Sequence, residues 1–297
     1  MVTGKTYHVP ASRFGKTPFS RQRILLSHPH IQAVSAKSAL SVSALPGLDY
    51  CLNPYVGCSH GCIYCYARSY SLRRGRKERW GSFVDIKRNL PGLLRRELQR
   101  KKKGVVGLST ITDAYQPLEL DARLTRECLE ALLHSGFSVS IQTKSALVLR
   151  DLDLLTRHRR QVEVGFTITT LDPSISAKIE PGASSPIDRA EALRKLSDNG
   201  ISTWMFVGPI LPAVTENGLD EVLDLAQGVA VERVLIDRLN LRPGVWRSVS
   251  EFIAQEHPEL AALYKEIFWG RSCFHNELKQ RLKRSCDRRK LDYSLCF

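Results

Sequence analysis

From residue 48 onward, short runs of apolar residues, some alternating with polar or small ones, take turns with longer stretches in which apolar positions recur every three or four residues. The first kind suits a strand, whose side chains point alternately to its two faces, and the second suits a helix with one buried stripe. Strands are predicted at Tyr50 to Leu52, Val105 to Ser109, Val139 to Gln142, Val162 to Ile168, Ser202 to Val207 and Arg233 to Asn240. Alternation is clearest where Val162, Val164 and Phe166 interleave with Glu163 and Gly165. Helices are predicted at 87–103, 124–135, 149–158, 187–198 and 218–229. The helix at 187–198 runs into Asn199-Gly200, a pair suited to the left-handed turn that ends a helix. Repeated strand–helix units predict an α/β protein with a parallel sheet and helices outside it. Pattern alone suits a barrel and a doubly wound open sheet equally well.

No internal repeat or low-complexity linker divides the chain, so one domain with extensions is expected. Residues 1–45 read as a basic, irregular lead-in, 46–245 as the core domain, and 246–297 as a helical C-terminal extension. With 297 residues the chain can bury a full core, and 43% hydrophobic with 25% charged residues is an ordinary globular balance. No apolar run approaches the roughly 18 residues that would span a membrane. Met1 to Arg23 lacks the apolar centre of a secretory signal, so no membrane association and a reducing cytoplasm are expected.

The net charge of +14, from 44 Lys and Arg against 30 Asp and Glu, gives a field that attracts polyanions such as DNA or RNA. Basic runs lie at 73–77, 95–96, 100–103, 157–160 and 281–290, and solvated helix faces explain them as well as a nucleic-acid partner does. The run at 73–77 stands out because it follows the most distinctive stretch of the chain.

That stretch is Asn53-Pro-Tyr-Val-Gly-Cys-Ser-His-Gly-Cys-Ile-Tyr-Cys-Tyr-Ala-Arg68, with Cys58, Cys62 and Cys65 spaced C-x-x-x-C-x-x-C. Three thiolates can hold three irons of a 4Fe–4S cube and leave the fourth open, whereas an electron-transfer cluster is closed by four. An open iron can bind a cofactor directly, as a catalytic metal does through its free position. A structural zinc site using His60 would call for a second C-x-x-C pair, which the chain lacks. Disulfides do not suit a chain without a secretory signal. Predicted strands also end in polar groups: Ser109 to Asp113, Gln142 to Ser145, Phe166 to Thr170 and Val207 to Ile210. In parallel α/β folds functional groups gather at such carboxyl ends, although Ser and Thr there also cap the helices that follow.

The cysteine stretch resembles the cluster loop of the radical S-adenosylmethionine (SAM) superfamily, and most closely its spore photoproduct lyase-like branch. Ile179-Glu-Pro-Gly and Ser185-Pro-Ile-Asp-Arg189 fit that branch too, and the similarity covers roughly residues 45–245. It implies a partial (β/α)6 TIM-type barrel, open on one side, with one 4Fe–4S cluster on Cys58, Cys62 and Cys65 and S-adenosyl-L-methionine on the open iron. Tyr64 and Tyr66 match the tyrosines bracketing the last cysteine, and Thr112, Lys144, Thr167 and Gly208 match cofactor contacts on successive strands. The implied activity is reductive cleavage of SAM to a 5′-deoxyadenosyl radical that takes a hydrogen atom from a substrate, nucleic acid being one candidate. The electron comes from an external donor of the flavodoxin or ferredoxin type, and no catalytic residue beyond the cluster ligands is implied. The competing reading is a nucleic-acid-binding protein with a structural or redox-sensing cluster. Spore photoproduct lyase has a hydrogen-donating cysteine two positions before the residue matched by Thr112; Thr110 stands there in this chain, so repair of thymine dimers is not expected. Cys128 sits on an apolar helical face and reads as a small buried hydrophobe. Cys273, Cys286 and Cys296 are too widely spaced for a local metal knuckle, leaving an auxiliary cluster or a hydrogen donor as alternatives, and Cys51 has no assigned role.

Overall fold

The computed structural model describes residues 29–297. Its strands are β1 His30–Val34, β2 Leu40–Val42, β3 Tyr50–Leu52, β4 Tyr55–Val56, β5 Phe83–Lys87, β6 Val105–Leu108, β7 Ser138–Thr143, β8 Val162–Thr167, β9 Ser202–Ile210, β10 Arg233–Arg238 and β11 Tyr293–Leu295. Helices α1 to α11 are Arg68–Arg73, Leu90–Leu98, Glu119–Ala122, Leu124–His134, Leu152–Arg157, Pro173–Ile179, Pro186–Asp198, Leu219–Val229, Val245–Glu256, Ala261–Trp269 and Phe274–Arg289.

The main sheet runs β11-β10-β9-β8-β7-β6-β3-β2, parallel throughout except where β2 pairs antiparallel with β3. Its six central strands, β3 and β6 to β10, are those the hydrophobic pattern predicts. On β7 to β10, Val139, Ile141, Val162, Val164, Phe166, Met205, Val207, Val234 and Ile236 are buried in one continuous core with residues of the surrounding helices. Side chains of opposite parity, including Ser140, Gln142, Glu163, Thr167, Ser202, Trp204 and Arg233, line a cavity instead. A doubly wound sheet packs helices on both faces and its strands are apolar on both. Here one face is polar, so the sheet curls around a lumen as a partial barrel.

Several segments depart from the sequence expectation. The lead-in is not irregular over its described part, because β1 and β2 lie within residues 29–45; the rest of it, 1–28, falls outside the described residues. β1 joins β5 and β4 in a second, three-stranded sheet that periodicity did not predict. Phe83, Val84, Asp85 and Ile86 are all buried, so β5 shows no alternation to read. The C-terminal extension is helical as expected but ends in β11, which extends the barrel sheet beside β10. The expected helix at 87–103 is shorter, Leu90–Leu98, and the one near 149–158 opens with a 3-10 segment at Ala146–Asp151.

Candidate active site

The cysteine loop leaves β4, follows the carboxyl end of β3 and is tied down on three sides. Gly57 holds φ at +84°, and a Cβ there would lie 2.4 Å from the Phe83 carbonyl oxygen, so the chain turns tightly against β5 only with glycine. The Thr112 hydroxyl donates to the Gly57 carbonyl at 2.5 Å and accepts from Gln116 Nε2 at 3.2 Å, while the Ser59 amide donates to Gln116 Oε1 at 2.9 Å. On the far side, the Ile63 amide reaches the Ile179 carbonyl and the Gly182 amide reaches the His60 carbonyl, both at 3.0 Å. Arg68 donates to the Cys62 carbonyl at 3.1 Å.

Cys58, Cys62 and Cys65 all open onto one cavity of about 980 Å³ that occupies the lumen. Burial pushes the Cys58 thiol well above its usual value and the Cys62 thiol up to about 12, and it raises Cys65 despite the nearby Lys144 cation. Thiols so reluctant to ionise become ligands beside a cation that stabilises the thiolate, which is what a metal cluster supplies. His60, between the first two cysteines, is 2% exposed, and its Nε2 has no hydrogen-bond partner among the described residues. Its Nδ1 lies 3.4 Å from Asp113 Oδ2. Asp113 is further held by the Thr143 hydroxyl at 2.7 Å and by the amides of Tyr115 and Lys144 at 2.9 Å. Burial alone would raise this carboxyl, but His60 and these donors outweigh it and keep it well below the usual range. Among the described residues no group of three His, Cys, Asp or Glu converges closely enough for a single metal ion. A polynuclear cluster, whose ligands bind different irons, asks for wider spacing.

The lumen is short of internal partners. Of seven buried side-chain polar atoms without a partner among the described residues, four belong to residues lining this cavity: His60 Nε2, Trp80 Nε1, Ser109 Oγ and Trp204 Nε1. Buried polar groups are normally satisfied, and these four stay unpaired inside the wall of the lumen. Ser109 also holds φ at +64°, a conformation costly for a residue with a side chain.

Four of the six side chains or backbone positions expected to meet the cofactor, Tyr66, Thr112, Lys144 and Thr167, line the cavity together with Thr110. Burial alone would lower the Lys144 ammonium, yet Cys62, Glu180, Cys65 and Asp113 outweigh it and favour the cation. Thr167 accepts from Gln142 Nε2 at 3.1 Å, and the Tyr66 hydroxyl donates to the Thr110 carbonyl. Tyr64 and Gly208 are not on the cavity wall. The Tyr64 hydroxyl is buried against Glu180 and Thr169, and the Gly208 carbonyl accepts from Thr169 Oγ1 at 3.0 Å.

Those contacts belong to a network the sequence did not signal as a unit. Glu180, 2% exposed, takes donors from Tyr64 and Arg189 and lies 3.0 Å from Thr169 Oγ1, whose one proton it shares with the Gly208 carbonyl. Arg189 also reaches the Thr167 carbonyl at 2.9 Å and the Ser184 carbonyl at 2.8 Å. The pair therefore braces the loop between Cys62 and Cys65 against β8 and β9. Cys128 and Cys286 are buried in the core, and Cys273 is exposed. Cys296, also exposed, lines the lumen cavity.

Such a loop at the carboxyl end of a partial barrel defines a class of cluster-and-cofactor enzymes. The profile of the Radical SAM superfamily matches residues 52–226, and the chain belongs to that superfamily, whose fold implies SAM and an iron–sulfur cluster. Its relatives include an uncharacterized protein of Methanocaldococcus jannaschii, 38% identical over 60% of this chain and 67% of that one. Another is an uncharacterized protein of Mycobacterium tuberculosis, 33% identical over 79% of this chain and 72% of that one. A radical SAM Nα-GlyT isomerase of Pseudomonas phage M6 is 25% identical over 62% of this chain and 38% of its own length. Among solved structures, a spore photoproduct lyase variant with bound AdoMet and dinucleoside spore photoproduct superposes with a TM-score of 0.65 at 17% identity, covering 90% of this chain and 82% of that one. At that identity the likeness establishes the fold.

Proposed function

We propose that the chain is a radical SAM enzyme in which Cys58, Cys62 and Cys65 hold one 4Fe–4S cluster and SAM completes its open iron. The observation carrying this reading is the convergence of the Cys58, Cys62 and Cys65 thiols and the Lys144 ammonium on one lumen cavity. Cys58, Cys62 and Cys65 would hold a cluster that, reduced by an external donor, would supply the one electron needed to cleave the S–C5′ bond of SAM into methionine and a 5′-deoxyadenosyl radical. Lys144 is positioned to offset the methionyl carboxylate, and the Thr167 hydroxyl offers a polar contact one strand further on. Tyr66 and Thr112 shape the wall beside the loop, whereas Tyr64 and Gly208 act from behind it, through Glu180 and Thr169. The lumen walls shield the radical from water and present it to the substrate. A cytoplasmic setting suits the reduced cluster, and no helix among the described residues is long and apolar enough to cross a membrane.

The test is anaerobic reconstitution followed by dithionite and SAM. Release of 5′-deoxyadenosine is expected, and Cys62→Ala abolishes it; a reduced cluster that releases none contradicts the reading. A nucleic-acid partner has separate support. Tyr66 and Tyr70 are exposed and set edge to face at 6.4 Å, Arg73 lies 5.2 Å over Tyr70, and Tyr66 reaches the cavity. Binding of single-stranded DNA or RNA here would weaken steeply with salt and on Tyr70→Ala.

A further inference from the structure

The cavity does not stop below the cysteine loop. It continues down the lumen to the amino-terminal ends of β7 to β10, where Ser138, Arg159, Arg160 and Ser202 form the lower rim. Above the rim lies a tier built across the sheet. The indole of Trp204 covers Gly165, with Arg233 stacked 5.2 Å from the ring centroid. Arg233 Nη2 donates to Glu163 Oε1 at 2.7 Å, and Ser140 Oγ donates to the same oxygen at 2.6 Å. Ser140, Glu163, Trp204 and Arg233 all line the cavity shared with the cysteines.

Three features of this tier point to a guest. Trp204 is 4% exposed, and its Nε1–H, buried in the wall, has no acceptor among the described residues. Arg233 has one hydrogen-bonded nitrogen, Nη2, and its Nε and Nη1 have no hydrogen-bond partner among the described residues. Arg159 and Arg160, both exposed, line the same end and form no ion pair among the described residues. Three arginines thus stand at this end with two carboxylates, Glu163 paired to Arg233 and Glu232 held by the rim hydroxyl of Ser202 at 2.7 Å. The Glu163 carboxylate, with Ser140, fixes the plane of Arg233 and leaves its remaining N–H groups available, an arrangement suited to an oxyanion.

We propose that the lower lumen is a recognition subsite for an anionic group, a phosphate monoester or a carboxylate, carried by a substrate slim enough to enter the barrel. The rise of ~3.3 Å per residue from Ser140 to Lys144 places this group roughly 13 Å from the cofactor end. The substrate is thus held at one end while a carbon further along meets the radical. The assignment rests on the lumen being the substrate chamber and makes a small anionic molecule the substrate, with nucleic acid left to the outer aromatic strip.

The test is calorimetric titration of the reconstituted full chain with inorganic phosphate, and separately acetate, with SAM present and no reductant. SAM occupies the Lys144 end, and no radical chemistry is needed, so failure of cofactor cleavage and failure of anion binding are read independently. One of the two anions binds at a single site, and which one separates the phosphate from the carboxylate source. Arg233→Gln weakens that binding at least tenfold, and the paired Arg159→Gln and Arg160→Gln changes on the exposed rim weaken it about threefold if Arg233→Gln does not fold. Glu163→Gln retains or tightens binding, and Arg247→Gln, on a distant exposed face, leaves it unchanged. Binding of neither anion, or equal affinity in the wild type and the folded arginine variants, overturns the assignment.

Discussion

Thr112 and Gly57 lie 55 residues apart and are joined by a hydrogen bond of 2.5 Å from the threonine hydroxyl to the glycine carbonyl. The bond fastens the segment after β6 to the turn that enters the cysteine loop. Thr112 lines the cavity as its match to a cofactor contact implies, but its proton is already committed to the loop. Thr112→Val leaves a carbonyl without its donor, at a cost of about 1–3 kcal/mol. We expect iron per chain after reconstitution, and the urea midpoint, to fall in Thr112→Val and to recover in Thr112→Ser. Full iron retention in the valine variant would remove the clamp from the account.

Gly165 and Trp204 give a second test, one that concerns the lumen rather than the loop. A Cβ on residue 165 would lie 2.1 Å from Trp204 Cε2, so the indole can cross β8 only over glycine. Gly165→Ala should destabilise by about 1–3 kcal/mol, the usual cost of overpacking. In a Trp204→Leu background the same change should cost less than about 1 kcal/mol, because the two effects share one contact. Equal costs in both backgrounds, measured by chemical unfolding, would show that the ring does not sit there.

Glu180 and Arg189 form a buried ion pair, each about 1% exposed at the side chain. Removing one partner of such a pair strands the other, so Glu180→Gln should cost about 3 kcal/mol or more. Burial alone would raise the Glu180 carboxyl, but Arg189, Lys144 and the Tyr64 hydroxyl outweigh it and the folded value is depressed. Its stabilising contribution is therefore fully present above the unfolded value of about 4.3 and is lost as pH falls through the lower folded value. Unfolding midpoints of metal-free protein across acid pH should fall more steeply in the wild type than in Glu180→Gln. Parallel curves would show that the pair carries no such linkage.

Much of the barrel could be read directly from residues 105–240. The interleaving of Val162, Val164 and Phe166 with Glu163, Gly165 and Thr167 marks a strand with one apolar face, and β7, β9 and β10 repeat the theme. The interleaving by itself left a lumen and a doubly wound sheet equally open; the distinction came from the fold, where Ser140, Glu163 and Arg233 line a cavity rather than lying under helices. β5 escaped because both its faces are buried, and β11 because its three residues show no period and no motif follows them, as the cysteine loop follows the equally short β3. The cysteine loop was legible because its ligands are local in sequence. Tyr64 was harder: Glu180, which holds its hydroxyl, is 116 residues away, and only the fold brings the two together. Trp204 over Gly165 likewise depends on strand register, which one-dimensional spacing does not encode.

The central claim is that the three cysteines leave one iron of the cluster to SAM. Mössbauer spectroscopy of anaerobically reconstituted protein, selectively labelled with iron-57 at the labile site and measured with and without SAM, examines that iron directly. We expect one iron distinct from the other three, with its isomer shift rising when SAM is added. Four irons unaffected by SAM, held entirely by the protein, would contradict it.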